Sequence, residues 1–267
     1  MNRSIDLPDY ETPPLSEVVL GVQFEHPRGY QQIYAKDVWE LFINDFPGVK
    51  GVDALPPSFE TFGLPSAKIQ KIELLAGATH DRFWFLSKDE TELLQFQQDR
   101  LLHNWRKAQD GSNPYPRFEN ILPKFESELL KLKEYYSTKF SAKELEINQC
   151  ELTYVNLITL PEPNQLLDKW IRIVNSTALK FDNISITTQK KLMRNDGEPY
   201  GRLICSCNNG FDQNMNSVID LRLTVRGAPA KANIEEALRF LKDGRNAIVR
   251  CFDEITTDYA HSQWGKK

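Results

Sequence analysis

Residues 218–226 constrain the fold more than any other stretch of this chain. Ile219, Leu221, Leu223 and Val225 alternate there with Asp220, Arg222, Thr224 and Arg226. Successive side chains of a strand point to opposite faces, so the alternation calls for a sheet with one face in an apolar core and the other polar. The apolar face needs a cover, and the following residues supply it. Asn233 with Glu236 three positions on has the spacing of a capping box. Ile234, Leu238, Leu241, Ile248, Phe252, Ile255 and Tyr259 then recur at helical spacing.

The same materials occur in the same order earlier in the chain. Residues 17–25 read as a strand, and residues 33–46 as a helix with Val38, Leu41, Phe42 and Phe46 on one side, stopped by Pro47-Gly48. Three strands are expected at 68–75, 82–86 and 93–106, the last two joined by the polar turn 87–90. A helix then carries Phe118, Ile121, Leu122, Phe125, Leu129, Leu132 and Tyr136, with a start near Leu122 that places Pro123 in its first turn. From Cys150 the succession repeats, as a strand at 151–160, a helix at 163–174, strands at 183–192, 201–207 and 217–226, and the long final helix. The expected class is α+β: two pseudo-repeated strand-helix-three-strand-helix units, 1–145 and 146–267, forming antiparallel sheets covered by helices in one compact body. A pseudo-two-fold seam between them is the expected place for a ligand or partner. Residues 47–67, punctuated by Pro47, Pro56, Pro57 and Pro65, form a loop long enough to act as a lid or an ordered crossover.

Composition narrows the function classes. With 40% hydrophobic and 26% charged residues the chain has the makings of a packed interior. A net charge of -4 with interspersed signs gives no broad positive field, so nucleic acid is not the indicated partner. No stretch approaches the ~20 apolar residues of a membrane span and none resembles a signal peptide, which leads to a cytoplasmic expectation without membrane involvement. Cys150, Cys205, Cys207 and Cys251 are too scattered for a disulfide framework and read as reduced thiols. The one-residue spacing of Cys205 and Cys207 does not match zinc ligation. The sequence has no phosphate-cradling glycine loop, nucleophile elbow or zinc-protease helix, so no cofactor, no metal and no catalytic residue is assigned.

Five segments carry a resemblance. Pro13-Pro14-Leu15-Ser16-Glu17-Val18-Val19-Leu20-Gly21-Val22-Gln23-Phe24 forms the opening, and Gln97-Gln98-Asp99-Arg100-Leu101-Leu102-His103-Asn104-Trp105-Arg106 with Tyr115-Pro116 the centre. Tyr154-Val155-Asn156 lies mid-chain, and residues 252–264, with Thr256, Thr257 and His261, are followed by Gly265 near the end. Together they resemble a sporadically distributed prokaryotic family of proteins of similar length and uncharacterised function. The resemblance implies no activity, cofactor or catalytic residue. It implies scattered occurrence, as for mobile or defence-associated genes.

The densest polar cluster is Gln95, Gln97, Asp99, Arg100, His103, Asn104 and Arg106 beside Trp105. Carboxylate, guanidinium and amide groups around an aromatic can hold an anion or a partner by bidentate bonds and stacking. The plainer reading is a solvated strand face, with Asp99 paired to an arginine such as Arg222. Tyr154 and Asn156 share a strand face that can line the seam, and His261 reads as a helix cap. The candidate ligand- or partner-binding residues are therefore Gln97, Asp99, Arg100, His103, Asn104, Arg106, Tyr154, Asn156 and Arg222. The first functional expectation is a non-enzymatic binding or regulatory protein that engages a partner protein from a neighbouring gene in a defence or toxin-neutralising cassette, with homo-oligomers left open. The second is a sensor holding an anionic small molecule at the seam through Arg100, Arg106 and Asn104 beneath the proline-rich loop. The third is a hydrolase using Asp99 and His103, which strict alternation places on one face.

Overall fold

The computed structural model describes residues 7–62, 82–108, 110–161, 167–174, 183–212 and 214–267. The strands are β1 (Leu15–Phe24), β2 (Gly48–Val52), β3 (Arg82–Leu86), β4 (Glu92–Gln97), β5 (Arg100–Arg106), β6 (Ile147–Thr159), β7 (Ser185–Met193), β8 (Pro199–Phe211) and β9 (Ser217–Gly227). Among the described residues these nine form a single sheet in the order β2-β3-β4-β5-β1-β6-β9-β8-β7. Every neighbouring pair is antiparallel. The helices are α1 (Ala35–Glu40), α2 (Phe118–Phe140), α3 (Ile234–Ile255) and α4 (Asp258–Gln263).

Alternation decides which face is covered. In β1, Val18, Leu20 and Val22 point to the helices, and their register partners Trp105, His103 and Leu101 of β5 and Tyr154, Leu152 and Cys150 of β6 lie on the same side. The stripes of α2 (Ile121, Phe125, Leu129, Leu132) and α3 (Leu238, Leu241, Ile248, Phe252) join these residues in one core. Leu20, Leu101, Leu152 and Leu223, on four adjacent strands, are each 0% exposed, so the interior runs unbroken across the middle of the sheet. The β1·β6 pairing carries the sheet across the boundary between residues 1–145 and 146–267. Outward from that pair the order is β5, β4, β3 on one side and β9, β8, β7 on the other, with β2 added at one edge.

Several expected elements take a different form. Residues 93–106 are not one strand but the hairpin β4–β5, closed by Gln98-Asp99 between the paired residues Gln97 and Arg100. Across that turn the apolar phase shifts from Leu94 and Phe96 to Leu101, His103 and Trp105, as a two-residue connection requires. Residues 48–52, expected in a loop, form β2 against β3. α2 begins at Phe118 rather than near Leu122, after Arg117 at φ 74°, so Pro123 lies inside it and forgoes one intrahelical bond. The helix expected at 163–174 is, in its described part, a short 3₁₀ turn (Leu167–Lys169) followed by a bridge from Ile171 to Thr256. The strand expected at 68–75 lies outside the described residues. The final helix stops at Ile255, and Thr257 Oγ1 accepts from the N–H of Ala260 to start α4.

Candidate functional site

Among the described residues, no helix covers the second face of the sheet. That face is crossed by residues 53–62, the strap, which follows β2. Side chains from seven adjacent strands hold it. Arg82 Nε of β3 donates to Asp53 O at 3.1 Å, and Arg100 Nη2 of β5 to Pro56 O at 3.1 Å. Gln97 of β4 binds Leu55 twice, accepting its N–H at 2.8 Å and donating to its carbonyl at 2.9 Å. Gln23 of β1 does the same to Ser58, donating at 2.8 Å and accepting at 3.0 Å. Gln149 of β6 accepts from the N–H of Glu60 at 3.4 Å. Arg202 of β8 donates to the Glu60 carboxylate at 2.8 Å and to Thr61 O at 3.1 Å, and Arg226 of β9 donates to Ser58 Oγ at 2.9 Å and lies 3.8 Å from Glu60 Oε1.

The dimensions fit an extended chain. Crossing from β3 to β8 takes six interstrand steps, about 29 Å at roughly 4.8 Å each, and the eight residue steps from Asp53 to Thr61 span about 26 Å at roughly 3.3 Å each. Gln97, Arg100, Gln23 and Gln149 lie in one cross-strand row. Each is no more than 9% exposed although it sits on the helix-free side, because the strap covers the row. A carboxamide matches the donor and acceptor of a peptide group, so two buried glutamines each engaging one residue's N–H and C=O are a main-chain-reading device. Between strap and sheet lies a cavity of ≈ 300 Å³, lined by Leu55 and Pro56 above, Gly21 and Leu102 below, and Arg100 and Arg226 at its sides. A Cβ on Gly21 would meet Leu102 Cγ at 3.1 Å, so glycine keeps that floor low.

Among the described residues no strap crosses the other end of this face. Trp84 of β3 is half-buried there beneath three cations, with Arg106 5.0 Å, Lys50 5.6 Å and Arg82 5.8 Å from its ring. Glu17 accepts from Asn104 Nδ2 at 2.7 Å and Arg106 Nε at 3.0 Å, and Gln95 connects Arg82, Trp84 and Asn104.

The sequence candidates therefore divide into four groups. Gln97, Asp99 and Arg100 meet at the strap, where Asp99 receives Arg100 Nε at 3.2 Å and Gln97 Nε2 at 2.9 Å. Asn104, which is buried, and Arg106 lie around Trp84 away from the strap, so the arrangement of Arg100, Arg106 and Asn104 around one ligand is not formed. Arg222 shares the helix-free face but pairs with Asp220 at 2.8 Å, not with Asp99. His103, Tyr154 and Asn156 lie on the helix-covered face. His103 is 0% exposed and its Nδ1 sits 3.0 Å from both carboxylate oxygens of Glu128 on α2. Asp99 occupies the turn and faces the strap, so alternation from 103 back to 99 fails at the hairpin and no Asp99–His103 pair is assembled. Tyr154 contacts the Tyr115 hydroxyl at 3.0 Å, and burial raises its own hydroxyl to about 12. With Asn156, Glu119 and Arg245 it lines a smaller cavity of ≈ 60 Å³ beside α2 and α3. His261 lies in the last turn of α4, and its Nε2 meets the hydroxyl of Thr256, the residue that ends α3, at 2.8 Å in a buried contact.

Sequence reasoning missed Arg82, Gln23, Gln149, Arg202, Arg226 and Glu60. The available signal was Gln23 and Gln149, each next to an apolar strand residue, Phe24 and Cys150, and directly opposed in register. Comparison of the chain with models of protein families, with curated proteins and with solved structures returns no match.

Proposed function

We propose that this chain is a non-enzymatic binding protein that engages a partner protein through the helix-free face of its sheet. One observation carries the reading: side chains from seven adjacent strands converge on an extended polypeptide and hold it largely by its main chain. The end around Trp84 supplies the remaining contact surface. Trp84 with Lys50, Arg82 and Arg106 combines an aromatic anchor with arginine, the residue types that dominate interface energetics, and its charge suits an acidic partner surface. The family resemblance adds the setting, a prokaryotic defence or toxin-neutralising cassette in which a neighbouring gene supplies the partner. We further propose that residues 1–145 and 146–267 descend from one duplicated unit. The mirrored strand order about β1·β6 and the facing pair Gln23 and Gln149 support this.

Co-expression with the products of adjacent genes, followed by size-exclusion chromatography, tests the reading. A co-eluting complex that Trp84→Ala with Arg106→Ala weakens at least tenfold, with the variant's fold intact, is the expected result. A monomer that co-elutes with none of them contradicts it.

The cavity of ≈ 300 Å³ beneath the strap favours a second reading, an anionic small molecule held between Arg100 and Arg226. Glu151 and Asp99 already neutralise much of that charge, since Glu151 receives Arg226 Nε at 2.6 Å and Asp99 receives Arg100. A thermal-shift screen of nucleotides and carboxylate metabolites decides it, because a ligand specific to the folded state raises Tm and no rise retires the idea.

A further inference from the structure

We infer, resting on the partner-binding reading, that the strap is a built-in occupant of a peptide groove, and that the partner displaces it with an extended segment. That segment carries an acidic side chain where Glu60 sits and an apolar side chain where Leu55 or Pro56 sits, four or five positions earlier.

Three features of the strap support displacement. First, the glutamine clamps at its central positions do not depend on its own side chains. Gln97 and Gln23 read the N–H and C=O of Leu55 and Ser58, groups that every non-proline residue offers in an extended chain. Second, its recognition of charged side chains is confined to one end and to one sign, beside a neutral contact from Arg226 to Ser58 Oγ. The Glu60 carboxylate lies between Arg202 and Arg226, and an aspartate or glutamate in another chain fits the same pair. Third, polar bonds rather than apolar burial hold the strap. None of residues 53–62 is buried, and Phe59 is 55% exposed. A competitor can repeat the main-chain bonds and also place an aliphatic side chain over Gly21 and Leu102, in the cavity of ≈ 300 Å³. It then gains apolar burial that the strap forgoes. The glutamine pairs also set the class of occupant, because the complement of a carboxamide's adjacent donor and acceptor is a peptide group and not a phosphate.

The test uses a fluorescein-labelled synthetic peptide reproducing residues 53–62 and the full-length chain. In a strap-released variant, Ser58→Pro removes the N–H that Gln23 accepts and Glu60→Ala removes the arginine contacts. Fluorescence anisotropy is expected to show the peptide binding this variant at least tenfold more tightly than the wild-type chain, whose own strap competes at high effective concentration. Adding Gln23→Ala and Gln97→Ala should abolish the gain. Arg202→Ala should weaken the peptide at least tenfold and weaken a peptide with alanine in the Glu60 position by a smaller factor, since only the Thr61 carbonyl contact is then lost. Absence of binding to a released variant that keeps the wild-type circular dichroism overturns the inference, as does binding indifferent to Gln23 and Gln97. If the released variant does not fold, amide exchange of the wild-type strap in excess unlabelled peptide decides. Faster exchange at Leu55 and Ser58 supports displacement, and unchanged exchange refutes it. A neighbouring gene product that binds through Trp84 and Arg106 while the peptide fails sinks this inference alone, whereas no association with any gene product sinks the reading on which it rests.

Discussion

Replacing Gln97 by alanine should open the strap without unfolding the sheet. The carboxamide makes two bonds to the main chain of Leu55, at 2.8 and 2.9 Å, and a third to Asp99 at 2.9 Å. At about 1 kcal/mol net for each strap bond, the closed state loses about 2 kcal/mol. With 1.4 kcal/mol per factor of ten, the open fraction rises about 30-fold. Gln23→Ala removes an equivalent pair at Ser58, so the double variant should lose about 4 kcal/mol if the two sites act independently. Native-state amide exchange reads this directly, since the N–H groups of Leu55 and Ser58 exchange when the strap leaves the sheet. The expected result is exchange about 30-fold faster at Ser58, whose bond to Gln23 stays intact, in Gln97→Ala, with the amides of Leu20 and Leu152 in the core unchanged. An increase below about threefold, or equal acceleration at the core amides, would refute the reasoning. The first outcome would show that the glutamine does not hold the strap, and the second that strap and core open only together.

Other substitutions test the fold beneath the site. His103→Ala leaves the Glu128 carboxylate buried without its imidazole partner and should cost about 3–5 kcal/mol in urea denaturation; a loss below about 1 kcal/mol would contradict a buried pair. In Gly227→Ala the new Cβ would lie 2.2 Å from Tyr200 O and 2.7 Å from Gly201 Cα, both main-chain atoms, so a loss of about 1–3 kcal/mol or more is expected, against a change within about 0.5 kcal/mol for Gly51→Ala, where nothing lies within 4 Å. Burial, with Lys266 beside it, lowers the pKa of His261 below its ordinary 6.5, against the opposing pull of Asp253 and Asp258. The unfolded chain then takes up its proton first, so the stability from neutral His261 is complete above about pH 6.5 and declines as the pH falls below it. Urea midpoints at pH 7.5 and 5.5 should show a smaller drop in His261→Gln than in the wild type, and an identical drop would contradict this.

The sheet was legible where one side of a strand is apolar and the phase holds. Residues 218–226 declared their faces without ambiguity, and β9 has those faces. Asn233 announced the start of α3, and its side chain accepts from the N–H of Glu236. The β4–β5 hairpin was hidden because Gln98-Asp99 carries neither glycine nor proline, and only the phase shift between Phe96 and Leu101 marks it. That one miss placed His103 on the wrong face and created an acid–base pair that the fold does not contain. β2 was hidden because Gly48 and Gly51 resemble loop residues, while the pairing with β3 is a tertiary fact. Half of the central clamp row, Gln97 and Arg100, was visible as polar density on a strand. Gln23 and Gln149 were not, because a lone glutamine on a strand is unremarkable until the register sets the two side by side under a segment distant in sequence.

Mapping the contact footprint by hydrogen–deuterium exchange, on the complex with whichever neighbouring gene product co-elutes, tests the central claim most directly. The account predicts new protection at β3, β5 and β1 on the helix-free face, around Trp84, Arg106 and Glu17, together with faster exchange at Leu55, Ser58 and Glu60 as the strap gives way. Protection confined to α2 and α3, with strap exchange unchanged, would contradict it.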